Sequence, residues 1–402
     1  MNRWKINLIV LWFGQFLVMS GMTMIIPFLP LYIQELGVMN SEEASVWAGI
    51  IFAANFLTSF IAQPIWGKIA DRYGRKMMVI RSGLGMAIVM TLMGFSQTPL
   101  HLLLLRMMNG LISGFVPAAT SLVSANTPKE RIGVAMGSLQ SGAIAGTIMG
   151  PLIGGVMADL FGFRMIFYIT GSLMFLATVF AWFFVQEQFN RKEASKQNDL
   201  SVLQGFRQLR AIPQLPALFA VTFMIQFALM SSMPQITLFV QHLVGNVENL
   251  AFLSGFVGSV MGISNMIASP LLGRIGDRKG SEMVLKVSLL GAAITFIPQI
   301  FVQNYWQLLI ARFLFGIFMG GMIPSVNALI RKHTPEGMEG RAYSFNSSFL
   351  ALGNLVGPTL GGFLVGWITI RGIFAVGAVM LLINLYWVHR KLKAFRNHTA
   401  AS

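Results

Sequence analysis

A chain of 402 residues that is 55% hydrophobic and only 11% charged cannot hide its apolar surface in a soluble core and must use lipid as its solvent. The net charge of +15 at pH 7 would suit a nucleic-acid binder, but its distribution along the chain follows membrane topology instead. No cysteine is present, which excludes disulfides, thiol redox chemistry and cysteine metal sites, and five scattered His offer no metal-ligand spacing.

Twelve apolar runs have the length of a bilayer-spanning helix, about 20 residues. They fall near 7–30, 46–66, 78–96, 99–122, 133–157, 164–186, 216–241, 250–272, 284–302, 305–330, 341–366 and 371–389. The expected fold class is therefore all-α integral membrane. With the N-terminus inside, all of the 29 Lys and Arg except Arg106, Arg164, Arg312 and Arg371 fall on the cytoplasmic side. Such asymmetry reflects insertion preference and the anionic inner leaflet. The first run follows Arg3 and Lys5 as a signal peptide would, yet it is too long and lacks a small-residue cleavage pattern, so it is expected to remain as an anchor. The outer loop at 34–45 holds Glu35, Glu42 and Glu43 and no base.

Between the second and third runs, Gly67-Lys68-Ile69-Ala70-Asp71-Arg72-Tyr73-Gly74-Arg75-Lys76 reads as a tight basic hairpin, with Gly67 and Gly74 serving close approach and turning. In the fourth run Arg106 lies seven residues past Pro99, roughly 10 Å below the outer surface. A guanidinium there is costly and should face the bundle interior and a partner, or bond backbone carbonyls. The fifth run carries Gly142, Gly146, Gly150-Pro151 and Gly154-Gly155, glycines four apart that make a smooth face for a neighbouring helix, with Pro151 expected to kink it. From Gln186 to about Pro213 runs the longest polar segment, with Glu187, Arg191, Lys192, Glu193, Lys196 and Asp199. Within it, Ser201 to Gln204 has the pattern of a capping box opening a short helix whose Leu203, Phe206 and Leu209 suit the inner leaflet; an ordinary solvated linker is the alternative.

The second half then repeats the first. Ser269 to Gly280 matches Gln63 to Gly74 at a spacing of 206, and Arg312, Gly316 and Gly320 match Arg106, Gly110 and Gly114 at the same spacing. At 207, Thr334-Pro335 matches Thr127-Pro128, Gly357-Pro358 matches Gly150-Pro151, Gly361-Gly362 matches Gly154-Gly155, and Arg371 matches Arg164. Six crossings return the chain to its starting side, so the two repeats share orientation. The expected division is a half at 1–186, a cytoplasmic linker at 187–213, a second half at 214–390 and a cytoplasmic tail at 391–402.

These features resemble the major facilitator superfamily, and within it the twelve-span drug:proton antiporters, over essentially the whole chain. The resemblance implies that superfamily's fold, two pseudo-symmetric halves of six helices that rock about a central cavity. Gly67 to Lys76 fits the signature of the loop between its second and third helices, which implies a conformational latch of Gly67, Asp71, Arg72, Gly74 and Arg75, with Asp277 and Arg278 in the repeat. Asp71 would face the start of the eleventh helix near Arg341 to Tyr343, Asp277 the start of the fifth near Gly133, and Arg72 and Arg75 would pair with carboxylates such as Glu130 or Glu187. Arg106, followed by Gly110 and Gly114, resembles the signature in which the arginine takes part in proton transfer, and Arg312 is its counterpart. Gly142 to Gly155 resembles the antiporter helix. Its echo at Gly353, Gly357-Pro358 and Gly361-Gly362 leaves generic packing open. Pro27 to Gly37 fits the proline-rich pattern of the drug-exporting subgroup, which implies amphipathic drugs, dyes or quinolones as substrates.

All 14 acids fall in loops or at helix ends, so no mid-membrane carboxylate offers itself as proton carrier. Glu35 and Asp71 are the first candidates, with Glu35 expected to compete for Arg106, and His101 and His242 stand behind them; a solvated Glu35 without a role is the alternative. Polar residues on apolar runs mark expected cavity faces: Gln15, Asn55, Asn109, Gln140, Gln226, Gln235, Asn265, Asn327, Asn346 and Asn354. For each alone, a bond between helices is the competing reading. The 27 Met and 33 Phe suit a pocket that accepts many shapes. No enzyme constellation, cofactor motif or metal cluster is present in the sequence. The expected protein is a monomeric multidrug:proton antiporter of a bacterial cytoplasmic membrane with both termini inside, whose partners are drugs, protons and lipid and not nucleic acid. An exporter of an endogenous metabolite, sugar or lipid, and a membrane sensor on a transporter fold, are the alternatives.

Overall fold

A computed structural model describes residues 3–25, 29–37, 41–187, 201–232, 236–245 and 250–399. Pro27, Phe28, Gln235 and the linker residues Arg191, Lys192, Glu193, Lys196 and Asp199 lie outside the described residues, and Glu42, Glu43, Pro151 and Gly155 are described in backbone only. The described chain is helical, in the order α1 (Arg3–Met24), α2 (Leu29–Glu35), α3 (Ser41–Tyr73), α4 (Arg75–Gly94), α5 (Pro99–Ile112), α6 (Phe115–Asn126), α7 (Ile132–Phe161), α8 (Phe163–Phe184), α9 (Val202–Ala211), α10 (Gln214–Ser232), α11 (Ile236–Val244), α12 (Leu250–Lys279), α13 (Ser281–Phe301), α14 (Tyr305–His333) and α15 (Glu339–Thr399). Eleven stretches among the described residues are long and apolar enough to cross a membrane.

The remaining expected run, 341–366, is the first part of α15. A straight helix of 61 residues would reach about 90 Å, far beyond any bilayer. Its contacts show instead that it doubles back. Gly353 lies against Gln226 and Gly361 against Ser231, whereas Asn384, later in the chain, donates to the Val221 carbonyl at 3.2 Å. α15 thus carries the last two crossings, and the all-helical fold stands.

Local chemistry repeats with the sequence. Gly74 and Gly280 both take left-handed φ, 97° and 94°, between the helices of the two hairpins, a conformation that a side chain disfavours. The N-caps of α5 and α14 are Thr98 and Asn304, whose side chains accept from the backbone N–H of His101 at 3.2 Å and Gln307 at 3.0 Å. α6 and α14 end at Thr127 and Thr334, in extended conformation ahead of Pro128 and Pro335. The fourth run departs from its repeat: it is split between α5 and α6 at Ser113-Gly114, where Gly114 has φ 145°, while α14 runs unbroken through Gly320.

The chain forms two compact units that do not coincide with the sequence halves. The first comprises Met1–Thr127, Gly142–Arg207 and Pro335–Ala351; the second comprises Pro128–Ser141, Gln208–Thr334 and Leu352–Ser402. In the first, α1 and α4 pack on α8, and α3 on α5. There Gly142, Gly146, Gly150 and Gly154 lie against the α1 backbone at Trp12, Phe16, Ser20 and Met24. In the second, α12, α13 and α10 pack on α14, and Gly353, Gly357 and Gly361 lie against α10 at Gln226, Met230 and Ser231. Each glycine series lets two helix backbones approach where lipid gives no hydrophobic drive.

Candidate functional site

The hairpin between α3 and α4 is built around two carboxylates that cap helices. Asp71, 2% exposed at the end of α3, accepts from the backbone N–H of Gly340 at 2.7 Å and of Arg341 at 2.9 Å, the first turn of α15. These donors have no partner within the helix, and the end carries positive potential, so an anion is favoured there. Glu187 does the same for α4, accepting from the N–H of Arg75 at 3.0 Å and of Lys76 at 2.8 Å.

Arg75 ties the caps together. Its Nη2 donates to Glu339 Oε2 at 2.7 Å and lies 3.8 Å from Asp71, its Nη1 lies 3.8 Å from Glu187, and its Nε donates to Ser121 at 3.0 Å. Glu339 also accepts from the Gly337 N–H at 2.9 Å. Arg341 Nε stands 3.8 Å from Asp71. Gly67 belongs to the same arrangement: a Cβ there would lie 2.6 Å from the Ser344 Cβ and 2.8 Å from the Gly340 carbonyl oxygen.

The second unit holds a thinner copy. Asp277 accepts from the N–H of Gly133 at 2.6 Å and of Val134 at 2.9 Å, at the start of α7. It is half-buried, and the residue after the turn is Ser281, with no guanidinium to match Arg75. Arg278 is exposed.

Two expected pairings are corrected. Arg72 is exposed and lies over the ring of Tyr73, at 5.6 Å, rather than reaching Glu130 or Glu187; it stands in the last turn of α3, whereas Arg75 opens α4 on the other side of the Gly74 turn. Glu35 meets Arg164, Nε to Oε1 3.6 Å, and not Arg106. Both partners are more than two-fifths exposed, so solvent screens the pair.

Arg106 is 4% exposed on the α5 face that also buries Leu102, Asn109 and Gly110. Its Nε and Nη2 have no hydrogen-bond partner among the described residues. Arg312, 1% exposed, offers Nη1 to the Met261 sulfur at 3.6 Å and lies 5.4 Å from the Phe374 ring centre. His101 and His242 are exposed.

The polar residues divide into two groups. Asn109 donates to Asn55 at 3.0 Å, and Gln226 pairs with Asn354, both bonds between helices. Gln15 and Asn265 are buried with a side-chain oxygen lacking a partner among the described residues. Asn327 and Asn346 are buried and Gln140 is half-buried. The capping box forms, with Ser201 N–H to Gln204 at 2.8 Å and Gln204 N–H to Ser201 at 3.1 Å. The face expected on the inner leaflet is divided instead: Phe206 packs on Phe345, Leu209 is buried and Leu203 is exposed.

Sequence reasoning missed Arg81. Its guanidinium stacks 3.4 Å above the Trp66 ring, and Trp66 in turn donates to the Leu111 carbonyl at 2.6 Å, beside the break in the fourth run. The signal was a charge inside the apolar run 78–96, obscured by its closeness to the basic flank.

Comparison with known proteins follows this geometry. A family model described as Major Facilitator Superfamily matches residues 11–298 and 251–401. The chain is 42% identical over 386 residues to a protein of Proteus mirabilis (strain HI4320) named multidrug resistance protein MdtG, covering 96% of each. It is 40% identical over 394 residues to a protein of the same name from Salmonella arizonae, covering 98% of this chain and 97% of that one. Among solved structures, the human organic anion transporter MFSD10 superposes with a TM-score of 0.84 over 96% of this chain and 100% of that chain, at 16% identity, a likeness of fold.

Proposed function

The chain belongs to the Major Facilitator Superfamily, and on that premise we propose that it is a multidrug efflux transporter exporting amphipathic drugs in exchange for protons across a bacterial cell membrane. Near-full-length identity of about two-fifths to proteins named for multidrug resistance carries this reading. The chain works as a monomer with both termini cytoplasmic, the side to which the excess of Lys and Arg assigns them. The segments 1–186 and 214–390 are the rocking halves, 187–213 the linker and 391–402 the tail.

Asp71 and Asp277 hold the inner side shut by capping α15 and α7, and the outward movement of drug requires these caps to release in turn. Protonation removes the charge that the helix end favours, so proton binding at Asp71 weakens the cap and deprotonation restores it. Arg106 keeps a buried positive charge whose Nε and Nη2 donate to a carboxylate or a substrate during the cycle. Drugs and dyes, quinolones among them, are the substrates, and Gln15, Asn55, Asn109, Gln140, Gln226, Asn327 and Asn346 are the polar side chains that meet them.

Inverted vesicles test this reading. Uptake of a fluorescent dye and of a quinolone is measured with and without an imposed pH gradient. Gradient-driven accumulation that a protonophore abolishes is the expected result. Accumulation indifferent to the gradient overturns proton exchange, and no accumulation of either compound overturns drug export.

A further inference from the structure

The second part of α15 runs antiparallel to α13, as two contacts and a shared groove show. Arg371 Nη2 donates to the Val302 carbonyl at 3.2 Å; Gly377 faces Phe296, where a Cβ would come within 2.8 Å of the ring; and Lys286, Val287 and Leu290 line one groove with Leu382, Leu385, Tyr386 and His389. The helices are close where Gly377 admits the Phe296 ring. Toward the other end lies a groove of about 410 Å³ lined by residues of both helices. Val287, Leu290, Leu382, Leu385 and Tyr386 form its walls. All but Leu385 are strongly exposed, on two helices that both cross the membrane, so these walls face hydrocarbon.

Basic side chains gather at one end of the groove. Lys286 and His389 line the groove there, and Arg390 lies over the Tyr386 ring at 5.4 Å, which brings its guanidinium to the same mouth. Lys286 donates to Glu282 one turn before it, leaving two of its three N–H groups for another acceptor. The sequence continues into Lys391 and Lys393.

We propose that this groove is a binding site for an anionic phospholipid, one acyl chain lying between α13 and α15 and the phosphate at Lys286, His389 and Arg390. An apolar slot that opens sideways in the membrane suits a chain, and a cationic mouth at its polar end suits a charged headgroup. That the mouth lies in the inner leaflet rests on the orientation given above; the choice of lipid does not.

Native mass spectrometry of the full-length protein, released from micelles holding equal amounts of phosphatidylglycerol, phosphatidylethanolamine and phosphatidylcholine, tests the site without any transport assay. Wild type should retain phosphatidylglycerol preferentially, with about a fivefold preference for each basic residue engaged. Lys286→Gln with Arg390→Gln should lose the headgroup preference. Val287→Trp, which fills the slot, should lose the bound lipid while its melting curve in detergent matches wild type. The site is overturned if the charge variant keeps the wild-type preference, if Val287→Trp keeps the wild-type lipid complement, or if the wild-type groove is covered by a second copy, seen as a dimer that Val287→Trp dissociates.

Discussion

Asp71 accepts two adjacent backbone N–H groups while almost wholly buried, so its charge has few substitutes. In Asp71→Asn the amide turns an NH₂ toward one of those donors, losing a hydrogen bond to a charged group, about 1.5–3 kcal/mol. That is roughly a tenfold to hundredfold loss in the capped population, and dye efflux should fall accordingly while membrane level, read by immunoblot, is kept. Asp277→Asn should do less harm, because that carboxylate is half-buried and has no counterpart of Arg75. Equal efflux by wild type and Asp71→Asn would exclude the cap from the transport cycle. At Arg106 the buried charge itself matters: Arg106→Ala should abolish gradient-driven export and Arg106→Lys should keep part of it, since charge survives without the planar fork. Drug binding without a gradient separates coupling from affinity. Glu35→Gln removes only an exposed pair with Arg164, worth about 0.2–1 kcal/mol, so the pH profile of efflux should stay as in wild type. A flattened profile would return the proton site to Glu35.

At the scale of elements, α1 and α7 meet through glycines with no room for a side chain: a Cβ on Gly142 would lie 2.8 Å from the Trp12 carbonyl oxygen, and Gly146 and Gly150 face the α1 backbone more closely still. Gly146→Leu should therefore force the helices apart, costing about 1–3 kcal/mol or more by overpacking and lowering the melting temperature and yield in detergent. Gly49→Ala, with nothing within 4 Å, should be silent in the same assay and marks the effect as one of contact. This face was legible in the sequence because packing in lipid demands small residues at helical spacing, and the caps were legible because Asp71 and Asp277 recur in register with the helix starts they serve. The rest depended on geometry that composition does not encode. Gly114 and Gly320 are the same residue in the same register, yet Gly114 takes left-handed φ and Gly320 stays helical, and so the fourth run breaks where the tenth does not. Glu35 and Arg164 are far apart in the chain and meet through the packing of α2 and α8, which no local pattern announces. Arg72 and Arg75 are equally basic; the reversal of the chain at Gly74, which leaves one at the end of α3 and the other at the start of α4, decides which of them faces the carboxylates.

For the molecule as a whole, orientation in the membrane sets the sense of the cycle, because the capped ends count as the inner gate only if the basic loops face the cytoplasm. The sequence contains no cysteine, so any introduced thiol is the sole target for a maleimide. Gln303 and Ser201 are both exposed and outside the crossing helices, on opposite sides by the count of spans between them. In intact cells a membrane-impermeant maleimide should label Gln303→Cys and spare Ser201→Cys; in inverted vesicles the pattern should reverse. The charge distribution makes this outcome steep: Lys and Arg near span ends resist translocation, while Arg164 and Arg371, the outer exceptions, are held by carbonyl bonds to Gly94 at 3.4 Å and Val302 at 3.2 Å. If Ser201→Cys labels in intact cells, the termini and linker are outside, Asp71 and Asp277 sit at the outer gate, and a proton entering from outside would reach them before the drug is released rather than after. The same pair of variants thus decides on which side of the membrane the two carboxylate caps release.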